Sequence, residues 1–346
     1  MSAAAGPASR TELVVLKHPD FGCSTGALPY RVDHLRALGF EPVWDDRRNH
    51  LRGWPGRIVG RTEALATPWL QTWYLRGRIR RAPATLAFFE SEGHALALAR
   101  VLGVGRRRTF VIMSCWLADL APGLGRLRRA MYRRLYRRVD TVTVFSQNQV
   151  AILHEELDIP TPRIKVIPFG IDVDEVRALT PSDEGFLVAV GRDAARDWPT
   201  LFAGVADCGH RVVVLARPSR LEGSQPPANV EVLGYVERPR YLELLAACSG
   251  VLIITRDAAY PSGQTVLLEA LALGKRSIVT DTAAMRSFGA DLPVTWVPAG
   301  DVPALRRAIT DLETTPVPVV ERDRLDAEPM WAAVAAIVRD AQVRHA

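Results

Sequence analysis

Short β-rich runs alternate with helical patterns along this chain, and the series starts twice. The first series holds "TELVVLK" (11–17), "EPVW" (41–44), "TLAFFE" (85–90), "TFVIMS" (109–114), "TVTVFS" (141–146) and "IKVIPF" (164–169). Helical segments such as "LPYRVDHLRALG" and "GHALALARVLG" lie between them. After the polar "PSDEG" (181–185) the series restarts with "FLVAVG" (186–191), "RVVVLA" (211–216), "VEVLGYV" (230–236), "GVLIIT" (250–255) and "RSIVTD" (276–281). Strand–helix alternation implies parallel sheets joined by helical crossovers. The chain therefore reads as α/β, with two Rossmann-like doubly wound domains facing a central cleft. They span 1–172 and 173–327, and a last helix in 328–346 crosses back to the first. Folds of this kind bind ligands beyond the carboxyl ends of their strands.

The 346 residues suit two domains, and 48% hydrophobic against 24% charged residues can fill two cores. Apolar runs are short and broken by charge, so no membrane-spanning helix is expected. The start, Met1 to Arg10, lacks an apolar signal core. Cys23, Cys115, Cys208 and Cys248 are scattered, without metal-ligand spacing or a disulfide framework. A cytoplasmic protein is expected. Residues 1–180 carry 27 basic against 17 acidic residues, whereas residues 181–346 carry 17 against 21. A basic first half suggests anionic partners.

Three stretches carry candidate chemistry. In "SGQTVLLEALALGK" (262–275) a small-residue loop runs into an apolar helix that holds one carboxylate, Glu269. Gly263 permits close backbone approach, and the helix start offers N–H groups suited to phosphate. Glu269 is either a solvated position or a ligand for polar groups. At the end of "TLAFFE", Glu90, Glu92 and His94 suit contact with, or deprotonation of, a hydroxyl acceptor, or else helix capping. The segment 123–140 sets Leu124, Leu127, Met131 and Leu135 at helical spacing, with Arg126, Arg129, Arg133 and Arg137 opposite. This basic helix (123–138) suits peripheral contact with anionic lipid at the inner membrane face, or an ordinary core stripe with a solvated face. No nucleic-acid module accompanies the charge.

The pieces "FSQNQVAILHEELDIPTPRIKVIPFGIDVDEV", "VGRDAARDWPTL", "VEVLGYVERPRYLELLAACSGVLI" and "SGQTVLLEALALGKRSIVTD", in this order over roughly 140–300, resemble the GT-B glycosyltransferases of the family-4 type. The resemblance implies retaining transfer of a sugar from a nucleotide-diphosphate donor to a hydroxyl acceptor, with no cofactor and no metal. It places Arg192 and Arg196 on the leaving diphosphate, where developing charge needs cations and N–H donors. Glu269 falls on the carboxylate that holds the donor ribose. Gly26, Gly191, Ser262, Gly263, Gln264 and Thr265 fall on the donor's phosphates, and Tyr235 beside the base or in the core. Glu92 and His94 are assigned catalytic roles. Tyr30, Glu90 and Trp116 are assigned to the acceptor.

The sequence departs from the family in three places. Pro261 stands eight positions before Glu269, where the family carries a first Glu near the donor sugar. "VIMSCW" offers Ser114, Cys115 and Trp116 in place of the usual His. Thr25-Gly26 reduces the family's Gly-Gly pair. These departures leave open a catalytically silent nucleotide-sugar-binding partner of an active transferase. A GT-B 2-epimerase would need paired acid/base groups that the sequence does not place, and no GxGxxG follows a strand to support an oxidoreductase. Asp172 and Asp174 mimic a metal-binding pair but lie in "PFGIDVDEV", where a structural role is expected.

Overall fold

The structure is a computed structural model that describes residues 10–17, 31–44, 56–191, 193–221 and 223–344, with backbone alone for 56–67. The chain divides into two compact units, Met1–Pro168 with Glu328–Ala346, and Phe169–Ala327.

Unit 1 holds strands β1 (Thr11–Leu16), β2 (Phe40–Val43), β3 (Ala84–Phe88), β4 (Thr109–Met113), β5 (Thr141–Val144) and β6 (Ile164–Val166). Its helices are α1 (His34–Ala37), α2 (Gly56–Arg81), α3 (Glu90–Val101), α4 (Leu117–Leu120), α5 (Arg126–Tyr136) and α6 (Asn148–Leu157). The strand order is β2-β1-β3-β4-β5-β6, with every pair parallel. β3 and β4 are buried throughout, as the apolar runs of a sheet covered on both faces require.

Unit 2 holds α7 (Val173–Arg177), β7 (Phe186–Val190), α8 (Trp198–Val205), β8 (Arg211–Leu215), β9 (Val230–Val232), α9 (Arg238–Ala247), β10 (Gly250–Ile253) and α10 (Gln264–Ala272). It continues with β11 (Arg276–Asp281), α11 (Ala283–Gly289), β12 (Thr295–Pro298) and α12 (Val302–Thr310). Its order is β12-β11-β10-β7-β8-β9, again wholly parallel. Trp198, Phe202, Leu305 and Ile309 pack against Leu187, Val212, Val214 and Leu252.

The last helix, α13 (Ala327–Val343), buries Trp331 completely, its ring 6.1 Å from that of Phe88. Arg339 of this helix donates to the Leu38 carbonyl.

Two elements differ from the sequence expectation. α2 contains Pro68, which removes a backbone donor. Tertiary contacts sustain the helix: Gln71 donates to the Lys17 carbonyl at 2.8 Å, and Leu75 and Ile79 are buried. The other element, β12, is a four-residue edge strand ending on a proline.

Where the chain enters and leaves unit 2, two extended segments run together. Ile171 pairs with Asp326 in a parallel bridge, and the Ile171 carbonyl accepts from Ala327 N at 2.9 Å. A Cβ on Gly170 would stand 2.1 Å from the Asp326 carbonyl oxygen, so only glycine fits. Gly170→Ala is expected to lower the stability of unit 2 by about 1–3 kcal/mol through overpacking. The denaturant midpoint of the purified protein measures this.

Candidate functional site

In unit 2 the carboxyl ends of β7 and β10 lead into two loops that are tied together. Ser262 Oγ donates to both Asp193 oxygens, at 3.1 and 2.9 Å, and Arg256 N donates to the Ala195 carbonyl at 2.7 Å. Arg196 lies between them. Its Cγ occupies the space where a Cβ on Gly191 would sit, at 2.4 Å, and its Nη1 would meet a Cβ on Gly263 at 2.8 Å. Gly263 also has φ +92°, a conformation suited to glycine. The side chain is 6% exposed, yet its Nε and Nη1 have no hydrogen-bond partner. The nearest carboxylate oxygen, Asp193 Oδ1, is 3.8 Å from Nε. A buried guanidinium with two idle nitrogens is unfavourable by itself and favourable beside an anion. The same loop opens α10, whose first-turn amides have no acceptors within the helix. Gln264 begins that turn with its Oε1 buried and unpaired, and Thr265 is half-buried.

Glu269 lies in the second turn of α10 with its side chain 1% exposed. It is therefore no solvated position. Arg238 Nη1 donates to Oε1 at 2.5 Å, and the Tyr241 hydroxyl donates to Oε2. Arg238 also grips Glu175 of α7, at 2.8 Å. Burial raises the Glu269 carboxyl above its ordinary range, and Arg238 opposes that rise. Sequence reasoning missed Arg238 and Tyr241. Their signal was available: they sit three apart at the start of a helix, and a carboxylate on an apolar helix needs such partners.

Tyr235 is 53% exposed, so the core reading of this ring does not hold. It lines a groove of about 230 Å³ with Gly191, Arg217, Arg220, Gly234 and Tyr241. Unit 2 thus brings together Gly191, Arg196, Ser262, Gly263 and Gln264, with Glu269 joined to the same groove through Tyr241. Arg192, Gly26 and Tyr30 lie outside the described residues.

In unit 1 the carboxyl ends of β3 and β4 carry a buried polar cluster. Glu90 Oε1 accepts from Ser114 Oγ, Cys115 N, Trp116 N and Leu117 N, all at 2.7–2.9 Å. This oxygen anchors the turn that starts α4, while Oε2 is buried and unpaired. Burial pushes the Glu90 carboxyl up, against those four donors. Phe89, just before it, has φ +80° and ψ 175°, a strained backbone for an aromatic residue. Its ring lies 5.1 Å from the half-buried Trp116. Glu92 is fully buried, accepts from Ser91, and is pushed up to about 7 by burial. His94 shares a hydrogen bond with the Tyr136 hydroxyl at 3.1 Å and is lowered to about 4 by burial. At neutral pH the imidazole is neutral, and Glu92 holds its proton far more readily than an exposed carboxyl.

Asp172 caps α7 through Glu175 N, and Asp174 pairs with Arg322 at 2.6 Å. Among the described residues no group of three His, Cys, Asp or Glu could hold a metal ion.

Residues 18–170 match the model of the glycosyl transferase 4-like domain. The sucrose-phosphate synthase of Thermosynechococcus elongatus superposes with a TM-score of 0.69 at 15% identity, covering 97% of this chain and 99% of its own. Anabaena HepE, solved with UDP and glucose, superposes with a TM-score of 0.60 at 14% identity, covering 97% and 98%. An E. coli trehalose-6-phosphate protein bound to UDP-2-fluoro glucose gives a TM-score of 0.62 at 12% identity, covering 97% and 96%. These likenesses show a shared GT-B fold. No curated protein matches the chain significantly.

Two outcomes are expected from the buried charges. Between pH 4.5 and about 7 the unfolded chain releases the Glu92 proton while the folded chain keeps it, so this group's contribution to stability falls as pH rises. Between about 4 and 6.5 the unfolded chain binds a proton at His94 that the folded chain refuses, so that contribution rises with pH. The two slopes offset each other over the shared range. Glu92→Gln should therefore leave a stability that rises by up to about 1.4 kcal/mol per pH unit relative to wild type, and His94→Gln the reverse. Denaturant titrations at several pH values read both.

Arg238→Ala strands the Glu269 carboxylate in a buried site and should destabilise by about 3–5 kcal/mol at neutral pH. The loss should shrink in acid, where Glu269 takes up a proton. Equal losses at both pH values would contradict the pairing.

Proposed function

We propose that this chain, whose residues 18–170 match the glycosyl transferase 4-like domain and whose fold is shared with GT-B structures, is a family-4-type glycosyltransferase that moves a sugar from a nucleotide-diphosphate donor to a hydroxyl acceptor with retention and without a metal. The observation that carries this reading is the buried Arg196 guanidinium, wedged between Gly191 and Gly263 with two nitrogens unpaired. A diphosphate beside it accepts from those nitrogens and from the first amides of α10. Arg192 joins that grip. The Glu269 oxygens each keep a free lone pair, suited to the two hydroxyls of a ribose. The base lies along Tyr235. Two of the related structures contain UDP or a UDP-sugar, which makes UDP the first donor nucleotide to test.

In the proposed reaction the bond between the sugar's anomeric carbon and the diphosphate oxygen breaks. The charge that develops on that oxygen is stabilised by Arg196 and Arg192. The acceptor hydroxyl attacks from the same face, and its proton passes to the departing phosphate. No separate base is then required, and Glu92 and His94 act on the acceptor side by orienting its hydroxyl, with Glu90, Tyr30 and Trp116 contacting it. Pro261 offers no side-chain acceptor, so backbone groups of 261–264 recognise the donor sugar. A cytoplasmic enzyme whose basic helix touches an anionic membrane, and whose acceptor is a lipid-linked intermediate, belongs to the same proposal.

UDP should raise the melting temperature of the wild-type protein. Arg196→Ala and Arg192→Ala should each weaken UDP binding by roughly ten- to a hundredfold, the worth of a charge-assisted contact. Unchanged affinity in both variants would overturn the reading. Binding without sugar transfer to any acceptor or to water would favour the silent partner.

A further inference from the structure

The arginines of α5 and of the turn that ends it divide into two sets. Arg129 pairs with Glu156 at 3.1 Å and Arg133 with Asp158 at 3.2 Å, so these two cations are neutralised by α6 and the residue that ends it. Arg134, Arg137 and Arg138 are exposed, and their guanidinium groups make no ion pair or hydrogen bond among the described residues. They line a cavity of about 310 Å³ together with Val101, the last residue of α3. The backbone beside this cavity is held in place. Arg100 is 6% exposed and holds Asp140 at 2.9 Å, and Arg106 donates to the Val101 carbonyl at 2.8 Å. Asp140 accepts from Arg100 and from Phe110 N, and none of the three outer guanidinium groups has a carboxylate within ion-pair distance among the described residues. Three converging cations without a counter-charge define a site for a doubly charged oxyanion.

The cavity sits where α3 and α5 return to the starts of β4 and β5. That is the amino edge of the unit 1 sheet, opposite the carboxyl edge that carries Glu90, Glu92 and His94. Apolar side chains border it. Leu102, next to Val101, is 77% exposed. Along α5, Leu127 (89% exposed) and Met131 (50%) share a stripe with Arg134 and Arg138. Leu135, in contrast, is buried, so the apolar stripe expected from the sequence is core at one end and bare at the other. A soluble phosphate ligand gives no reason for bare leucines beside its site, whereas a lipid surface does.

We propose that Arg134, Arg137 and Arg138 form a pocket for the phosphate of an anionic lipid headgroup, with Leu102, Leu127 and Met131 entering the acyl boundary beside it. The inference rests on the membrane reading of this helix and is independent of sugar transfer. It docks the enzyme by the amino edge of unit 1 and leaves the carboxyl edge free.

The test is sedimentation with phosphatidylglycerol vesicles, neutral phosphatidylcholine vesicles, and phosphatidylglycerol vesicles with inorganic pyrophosphate added. Wild type should bind the first and not the second. R134Q/R137Q/R138Q should bind on the order of a hundredfold more weakly, at about a factor of five per arginine. R107Q/R126Q/R128Q removes the same charge from exposed arginines outside the cavity and should lose clearly less. Equal loss in the two triple variants would reduce the effect to bulk charge and overturn the pocket. Pyrophosphate that stabilises wild type thermally but not R134Q/R137Q/R138Q, while anionic vesicles fail to bind, would overturn the lipid source. The UDP melting shift reports separately on the donor site, and it should be the same in both triple variants.

Discussion

Parallel pairing in both sheets is the constraint from which the candidate sites follow. A parallel strand must be followed by a return across the sheet, so every loop that leaves a strand gathers on one edge and every turn that enters one gathers on the other. In unit 2 this brings residues 191–196 and 262–264, some seventy positions apart, into hydrogen-bonding contact on the carboxyl edge. In unit 1 it sends the acidic end of β3 and the turn after β4 to one edge and the arginines of the α3 and α5 returns to the other. A basic half of the chain thereby keeps its acid cluster and its cation cluster apart.

Buried charge in unit 2 and unit 1 is treated in two ways. Lys275 donates to the carbonyls of Ser182 and Cys248, and Arg100 to Asp140 and a carbonyl. Glu269 has a partner on each oxygen. These groups have what a desolvated ion requires. Arg196 does not, although it is as buried as Arg100. Of Lys275, Arg100, Glu269 and Arg196, the one with unmet hydrogen-bonding capacity is also the one flanked by two glycines and a helix start.

Much of the architecture was legible because parallel strands read as short continuous apolar runs, and eleven of the twelve were visible that way. The exception, β12, is bounded by prolines and has only one fully buried residue, Val297. α2 was hidden by Pro68 and by glycines, and it is sustained by contacts such as Gln71 with Lys17 that no local pattern announces. At the candidate site, Arg196 and Glu269 were singled out through resemblance. Arg238 and Tyr241 were not, since a side chain reaching a carboxylate about thirty positions away leaves no periodic trace. Glu90 was read as facing an acceptor, yet one of its oxygens anchors a turn of the backbone. Periodicity identified one face of α5, but it could not tell that a neighbour covers Leu135 and none covers Leu127.

The wedge of Arg196 between Gly191 and Gly263 also bears on how such a chain can change over generations. A methyl group at either glycine would evict the guanidinium, and a shorter side chain at 196 would leave a void between them. The three positions therefore form one heritable unit, and a lineage that relinquished the arginine would be free to fill both glycines. Descendants of this protein that have lost the need for a cation at this place should bear that mark together at all three positions.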